Sequence, residues 1–462
     1  MSFKEIKRAA IIGLGKLGSP MVAVFASRGL EVIGVDTDPA KVAALQRGEA
    51  PVYEPQLQEM LTGSQEHYTA TLDGEAAVLN SDATFLIVPT PSEQGGGFSL
   101  RYVLPACEMI GRALRRKDDF HLVVLTSTVM PGATDDRVRA ALEQASGKKC
   151  GVDFGLCYSP EFIAIGSVIR DFLKPDFVLV GESDTRSGDL LASVYKQVCD
   201  NDPPVARMNF VNAELCKISV NTYVTTKITF ANMIAGICER LPDADVDVVT
   251  GALGLDTRIG KRYLKGALGY GGPCFPRDNV ALGALARAIG ASSTLADATD
   301  RANDEVVERM VNLAKSYLPK GGSVGVLGLS YKENTGVVEE SQGLQIAQAL
   351  LAEGIPVNVY DPLAISNARR ELSGPVTYAV GMHDCALASD VILVTTPWPE
   401  FKNLEPAVLE REGTRRVVID CWRMLDRTRL EAFVDYVPVG VGLVNSNEAA
   451  VAVSRPVLEQ AA

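Results

Sequence analysis

Short apolar runs recur along the chain, each closed by glycine, proline or hydroxyl residues, with amphipathic stretches between them. Ala9–Ile12, Glu31–Asp36, Ala83–Val88, Leu122–Leu125, Gly155–Tyr158 and Phe177–Val180 read as strands, and Ser19–Arg28 reads as a helix. Near-continuous apolar strands alternating with helices predict a parallel sheet covered on both faces. From Val211 to Arg240 proline is absent and the pattern is helical. Such a stretch makes a rod of roughly 45 Å, too long for one crossover, so it reads as a connector. Pro242 ends it, and Val246–Gly254 is a further helical segment. A second series then begins: a strand at Ser323–Gly328, a helix near Leu344–Glu353, and strands at Val357–Asp361, Asp390–Val394 and Val417–Asp420. Val88-Pro-Thr-Pro91 is echoed by Val394-Thr-Thr-Pro397. The predicted fold is α/β, with two doubly wound, Rossmann-like domains joined by a long central helix. The expected parts are 1–205, 206–300 and 301–462. Gly95–Gly97 is expected to be a mobile loop, and Asn445–Ala462 a terminal helix or a frayed end.

The first strand runs straight into Gly13-Leu-Gly15-Lys-Leu-Gly18, and the second ends in Asp36. Strand, G-x-G-x-x-G, helix, strand and acid in that order form the dinucleotide fingerprint. The first glycine makes the turn, the second admits a pyrophosphate to the helix N-terminus, and the third packs helix on strand. Asp36 would take the ribose hydroxyls and repel a 2′-phosphate, which favours NAD over NADP. A glycine turn serving structure alone is the competing reading. The second series has no full fingerprint, so it is expected to bind something other than a whole dinucleotide.

Composition narrows the partners. The formal charge of −12 over 462 residues argues against nucleic acid, while leaving room for an anionic small substrate met by local Lys and Arg. No apolar run is long enough to span a bilayer, and Met1–Arg8 lacks a signal-peptide core. A cytoplasmic protein with no membrane partner is expected. The nine cysteines are odd in number and show no C-x-x-C, which argues for a reducing compartment, with neither a disulfide framework nor a metal site.

One cysteine stands apart. Cys274 lies in Gly269-Tyr-Gly-Gly-Pro-Cys-Phe-Pro-Arg-Asp278, preceded by Arg258-Ile-Gly-Lys-Arg-Tyr-Leu-Lys265. Gly271 and Gly272 would let the backbone approach a ligand closely, and Pro273 and Pro276 would stiffen the turn that presents the thiol. The bland alternative is a half-buried cysteine in a tight turn. Lys217 and Asn221 are four apart and share a helix face, although Lys217 alone reads more readily as a solvated helix lysine. Thr90, Ser127, Thr128 and Glu161 fall at or just after strand ends, where ligands bind in such sheets, and each hydroxyl could instead be a helix cap or turn residue.

These residues together resemble the UDP-glucose/GDP-mannose dehydrogenase family over nearly the whole chain. The fingerprint, Pro51-Val-Tyr-Glu-Pro55, Ser127-Thr-Val129, Ser159-Pro-Glu-Phe162, Ala213–Asn221, Arg258-Ile-Gly260, the cysteine block and Tyr331-Lys332 fall in family order. The approach to the cysteine looks most like the UDP-glucose branch. The resemblance implies two successive oxidations of a sugar C6 alcohol, with Cys274 capturing the aldehyde. It implies catalytic roles for Lys217, Asn221, Asp278, Glu161 and Thr128, and NAD contacts at Gly13, Leu14, Gly15, Gly18, Asp36, Lys41, Thr90, Thr128 and Cys274. For a UDP-sugar it implies contacts at Glu161, Phe162, Ile163, Lys217, Asn221, Tyr263, Leu264, Lys265, Gly271, Phe275, Lys332 and Arg423. Arg258 would reach into a neighbouring subunit, so a homodimer or larger assembly is implied.

Two departures stand out. Glu339 occupies the place of an arginine that relatives often carry, and Ile165 that of a glutamate. Besides UDP-glucose, a UDP-N-acetylhexosamine or GDP-mannose remains open as substrate. A one-step β-hydroxyacid-type dehydrogenase and a non-catalytic nucleotide-sugar sensor remain open as different classes.

Overall fold

The computed structural model describes residues 5–443, so the expectation for the tail from Asn445 lies outside the described residues. Its contacts divide the chain into two compact units. Among the described residues, the first holds 5–220 together with Ala281–Ser292, and the second holds Asn221–Val280 and 293–443.

The first unit is built on strands β1 (Arg8–Ile12), β2 (Glu31–Val35), β3 (Tyr68–Thr71), β4 (Ala83–Leu86), β5 (Leu122–Leu125), β6 (Gly155–Tyr158), β7 (Val178–Glu182) and β8 (Val205–Met208). They form one sheet in the order β3-β2-β1-β4-β5-β6-β7-β8. All neighbours are parallel except β6 and β7. The first six strands follow the order of a dinucleotide-binding sheet. Strand β1 shows why the apolar runs are continuous. Ala9 and Ile11 pack on one face with Met21 and Phe25 of the Gly18–Ser27 helix. Ala10 and Ile12 pack on the other with Cys107 and Ile110 of the Val103–Arg115 helix. Alternate side chains point to opposite faces, and both faces are covered.

The second unit repeats the plan with β9 (Val324–Leu327), β10 (Val357–Tyr360), β11 (Val376–Tyr378), β12 (Val391–Val394), β13 (Val417–Asp420) and β14 (Asp435–Pro438), ordered β11-β10-β9-β12-β13-β14. The likeness extends to the first turn of each sheet. Gly13 and Gly328 have φ of 106° and 110°. Leu14 N–H donates to Asp36 Oδ2 at 2.7 Å, and Leu329 N–H donates to Asp361 Oδ2 at 2.8 Å. Asp361, however, also accepts from the Ser330 hydroxyl and the Trp398 indole, and is only 2% exposed. An acid committed in this way to its own fold is not placed to hold a ribose.

The expected connector is observed as a 29-residue helix, Phe210–Cys238. Edge strands β3, β8, β11 and β14 had no clear sequence signal. Strand β8 alternates exposed and half-buried positions, and β11 has only three residues. Among the described residues no helix is long and apolar enough to cross a membrane.

Candidate active site

The crest of the first sheet carries the fingerprint. Gly13 must be glycine: its φ is positive, and a Cβ would lie 2.3 Å from the Ile87 carbonyl oxygen. A Cβ at Gly18 would lie 1.7 Å from Gly13 O, which fixes helix against turn. At Gly15 nothing lies within 4 Å of a Cβ, so the glycine there is not required by the protein's own packing. That open cradle beside the N-terminus of the Gly18–Ser27 helix fits a pyrophosphate. Asp36, besides holding Leu14, accepts from Asp38 N–H at 2.9 Å and faces the Lys41 ammonium at 3.3 Å. The Thr90 hydroxyl donates to the Thr128 carbonyl at 2.8 Å, which joins the loops after β4 and β5.

A second constellation in the first unit surrounds Glu161. Lys217, only 6% exposed, donates to the Glu161 backbone carbonyl at 2.7 Å, with its ammonium 4.5 Å from the centre of the Phe162 ring. The Tyr195 hydroxyl donates to Glu161 Oε1 at 3.0 Å and meets the Ser159 hydroxyl at 3.1 Å. Burial pushes the Glu161 carboxyl up to about 7, against the opposing pull of the Tyr195 hydrogen bond and the Lys217 charge. A carboxyl poised there can take or give a proton near neutrality.

In the second unit Cys274 occupies the residue directly before the Phe275–Ala288 helix, and its carbonyl accepts the Asp278 N–H at 2.9 Å. Pro276 sits in the first helical turn, where its missing N–H costs no helical bond. The turn expected from the prolines is present at 272–274 and runs into a helix start at Phe275, whose N–H groups favour negative charge on the sulfur. Cys274 is exposed, whereas the other eight cysteines are buried or half-buried and burial pushes their thiols up. Asp278, 1% exposed, accepts from the Asn221 amide at 2.6 Å.

The glycines before the cysteine meet the backbone expectation only in part. Only Gly272 of the pair has a positive φ, and a Cβ on it would lie 2.6 Å from the Tyr331 ring. A Cβ on Gly271 would lie 2.1 Å from the Glu340 carbonyl oxygen. Gly272 N–H also donates to Glu339 O at 3.0 Å. The protein's own packing therefore requires glycine at both positions, and the divergent Glu339 segment is a turn that supports the cysteine loop.

The other predicted contacts are distributed over the second unit. Tyr263 has φ of 63°, is half-exposed, and stands edge-on to Phe275 at 6.2 Å. Leu264 is buried and Lys265 exposed. Lys332 lies with its ammonium 6.0 Å from the centre of the Tyr331 ring. Arg258 projects from an exposed loop and pairs with Asp256 at 2.6 Å. Arg423 is more deeply engaged than expected: it pairs with Asp247 at 2.8 Å and donates to the Gly266 and Val439 carbonyls.

Comparison with known proteins settles the kinship. The chain matches the UDP-glucose/GDP-mannose dehydrogenase family in three consecutive parts: its NAD binding domain over residues 7–199, its central domain over 211–305 and its UDP binding domain over 325–427. The chain belongs to this family. A UDP-glucose 6-dehydrogenase of Haloferax volcanii is 38% identical over 90% of this chain and 97% of its own length. A UDP-glucose dehydrogenase structure from Pyrobaculum islandicum is 35% identical, with a TM-score of 0.86 over 95% of this chain and 98% of that one. A GDP-mannose 6-dehydrogenase of Pseudomonas aeruginosa is 34% identical over 77% of this chain and 81% of its own length. The protein is accordingly an NAD-dependent nucleotide-sugar dehydrogenase.

Within this family frame, three side chains that the sequence reading left without a role hold site loops in place. Glu54, buried inside the Pro51–Pro55 block, accepts from Gly166 and Val168 N–H at 2.9 and 2.8 Å and pins the loop after Glu161. Glu214 accepts from Gly132 and Thr134 N–H at 2.6 and 2.7 Å and pins the loop after Thr128. Tyr195 is the third. A carboxylate in an otherwise apolar, family-matching block was the available signal for the first two. Tyr195 offered none.

Proposed function

We propose that this enzyme oxidises the C6 alcohol of UDP-glucose to the carboxylate of UDP-glucuronate, through a thiohemiacetal and then a thioester on Cys274. One alcohol, two NAD⁺ and one water become one carboxylic acid, two NADH and two protons. The observation that carries the reading is Cys274 itself: the exposed cysteine among the nine, at the head of a helix, with a buried carboxylate one turn in. The names of the most similar relatives support UDP-glucose as the sugar nucleotide.

Bound NAD supplies the hydride acceptor for both oxidations. Gly13, Leu14, Gly15 and Gly18 would cradle its pyrophosphate and Asp36 with Lys41 its ribose, and Thr90, Thr128 and Cys274 would each contact it. The Cys274 thiolate forms the C–S bond to the aldehyde carbon, which makes a second hydride loss possible and keeps the aldehyde from escaping. Lys217 and Asn221 stabilise the oxyanion that develops. Asp278 and Thr128 hold the water and move protons, and Glu161 takes a proton from water as it attacks the thioester. Phe162 and Ile163, with Tyr263, Leu264, Lys265, Gly271 and Phe275, would frame the nucleotide sugar. Lys332 and Arg423 would face diphosphate and base, Arg423 from the position in which Asp247 holds it.

The enzyme is proposed to act as a homodimer or larger assembly, with Arg258 serving the neighbouring subunit. Tyr223, Phe230, Met233 and Ile237 recur along the long helix at helical spacing and are all exposed, as a surface awaiting a second copy would be. We place it in the cytoplasm, a reading supported by an odd number of cysteines without a C-x-x-C pair.

The test is the NADH formed at end point with limiting UDP-glucose and excess NAD. Two NADH per sugar support the reading. One NADH with a free aldehyde removes the thioester route. None with UDP-glucose, but two with GDP-mannose or a UDP-N-acetylhexosamine, keeps the chemistry and changes the sugar.

A further inference from the structure

We propose that Tyr195 is a positioning residue for hydrolysis: its hydroxyl, backed by Ser159, orients the Glu161 carboxylate for proton transfer at the thioester. This rests on the role assigned to Glu161 above. Tyr195 lies on the Thr185–Val198 helix and is 4% exposed, so its ring is fixed by the core and not by the site. An ionised Glu161 can only accept, so the Tyr195 hydroxyl donates to Oε1 at 3.0 Å. The tyrosine oxygen is then left as acceptor for the Ser159 hydroxyl at 3.1 Å, from a serine that is 1% exposed. Ser159 is itself anchored, its N–H donating to Leu125 O at 2.9 Å. The chain Ser159→Tyr195→Glu161 therefore runs in one direction, from buried scaffold to half-buried carboxylate.

Lys217 completes the clamp from the opposite side. Its ammonium holds the Glu161 backbone carbonyl at 2.7 Å, so main chain and one carboxylate oxygen are gripped separately. The side chain is left little rotation, and that restriction is what a base needs to meet water at one angle. The titratable groups facing Glu161 in this unit are Tyr195, Lys217 and Cys199. Tyrosine and lysine both favour the carboxylate, so loss of the tyrosine hydroxyl moves the Glu161 titration upward.

The test is Tyr195→Phe, which keeps the ring and its packing, compared with Glu161→Gln and with the double variant. With UDP-glucose and NAD, Tyr195→Phe is expected to lower kcat about tenfold, the worth of one hydrogen bond, with KM for the sugar nucleotide unchanged. The acidic limb of its kcat–pH profile is expected to move to higher pH. The hydroxyl acts through Glu161, so adding Tyr195→Phe to Glu161→Gln should cost nothing further. Ser159→Ala should move the limb in the same direction by less. An unchanged kcat and profile in Tyr195→Phe, or an equal loss in the Glu161→Gln background with the limb unmoved, overturns the proposal. Full activity in Glu161→Gln alone would instead remove the underlying assignment of Glu161, a result read without reference to Tyr195.

Discussion

The side-chain amide of Asn221 donates to the Asp278 carboxylate at 2.6 Å, so the long connector helix grips the first turn of the helix that Cys274 heads. Both residues are buried, at 7% and 1% exposure. Replacing Asn221 by Leu removes a donor from a buried carboxylate, and the expected cost is about 1–3 kcal/mol. Asn221→Asp sets two carboxylates side by side and should be worse above neutral pH than in mild acid, where one can protonate. Urea unfolding of both variants at the two pH values checks this. A Leu variant as stable as the parent would show that the contact contributes nothing.

Two glycines separate packing from ligand binding. Gly272 combines a φ of 81° with a Cβ position 2.6 Å from the Tyr331 ring, so Gly272→Ala meets both strain and collision. We expect a loss of more than about 1 kcal/mol and a displaced cysteine loop. Gly15→Ala meets no atom within 4 Å and should leave thermal stability unchanged. Its methyl group would nevertheless occupy the pyrophosphate cradle, and NAD affinity should fall by about tenfold or more, roughly 1.4 kcal/mol. Calorimetric titration with NAD, paired with a melting curve for each variant, distinguishes the two. A Gly15→Ala protein that binds NAD normally would place the pyrophosphate elsewhere.

These contrasts also mark what was legible in the sequence. Strands buried on both faces, such as β1 and β12, announce themselves as unbroken apolar runs. The edge strands β3, β8, β11 and β14 do not, because one side of each lacks a partner and its residues need not be apolar. Gly13 and Gly18 were readable because a turn and a packing contact demand glycine at fixed spacing, and Gly15 because it completes the same fingerprint. The pair Gly271 and Gly272 was readable as constrained, but not by what: only coordinates show that Tyr331 and Glu340 are the neighbours. Pro276 looked like part of a turn because proline breaks helices, yet in a first turn it starts one. Glu54, Glu214 and Tyr195 act across sequence gaps of 112, 80 and 34 residues, and no local pattern encodes such pairings.

Glu161 carries a pH signature in stability as well as in rate. Its carboxyl is pushed from 4.5 to about 7 by burial, so the folded state holds its proton where the unfolded chain has released it. A raised carboxyl leaves the fold unpenalised below the lower value. The penalty grows as pH rises through that interval and is constant above it. Glu161→Gln removes the titration, so its stability relative to the parent should rise between about pH 4.5 and 7 by about 1–2 kcal/mol, allowing for partial exposure to water. Denaturant unfolding of both proteins across that range measures the difference. A difference that stays flat with pH would mean that the carboxyl is not raised.

Cys274→Ser tests the proposed covalent step. Serine at the head of the Phe275–Ala288 helix keeps the size and the exposed position, so the fold, NAD binding and sugar-nucleotide binding should persist. The hydroxyl is a far poorer nucleophile near neutral pH than a thiol, and without the C–S bond the aldehyde has no route to a thioester. Carboxylate formation should fall by about a thousandfold or more. None of the other eight cysteines can substitute, since each is buried or half-buried and its thiol is pushed up. The decisive readout is the product mixture over a long incubation, with mass spectrometry of the protein alongside. The parent quenched during turnover should carry a sugar-nucleotide adduct on the Cys274 peptide, and the variant should carry none. Undiminished uronate from the serine protein would refute covalent capture while leaving NAD and substrate binding intact.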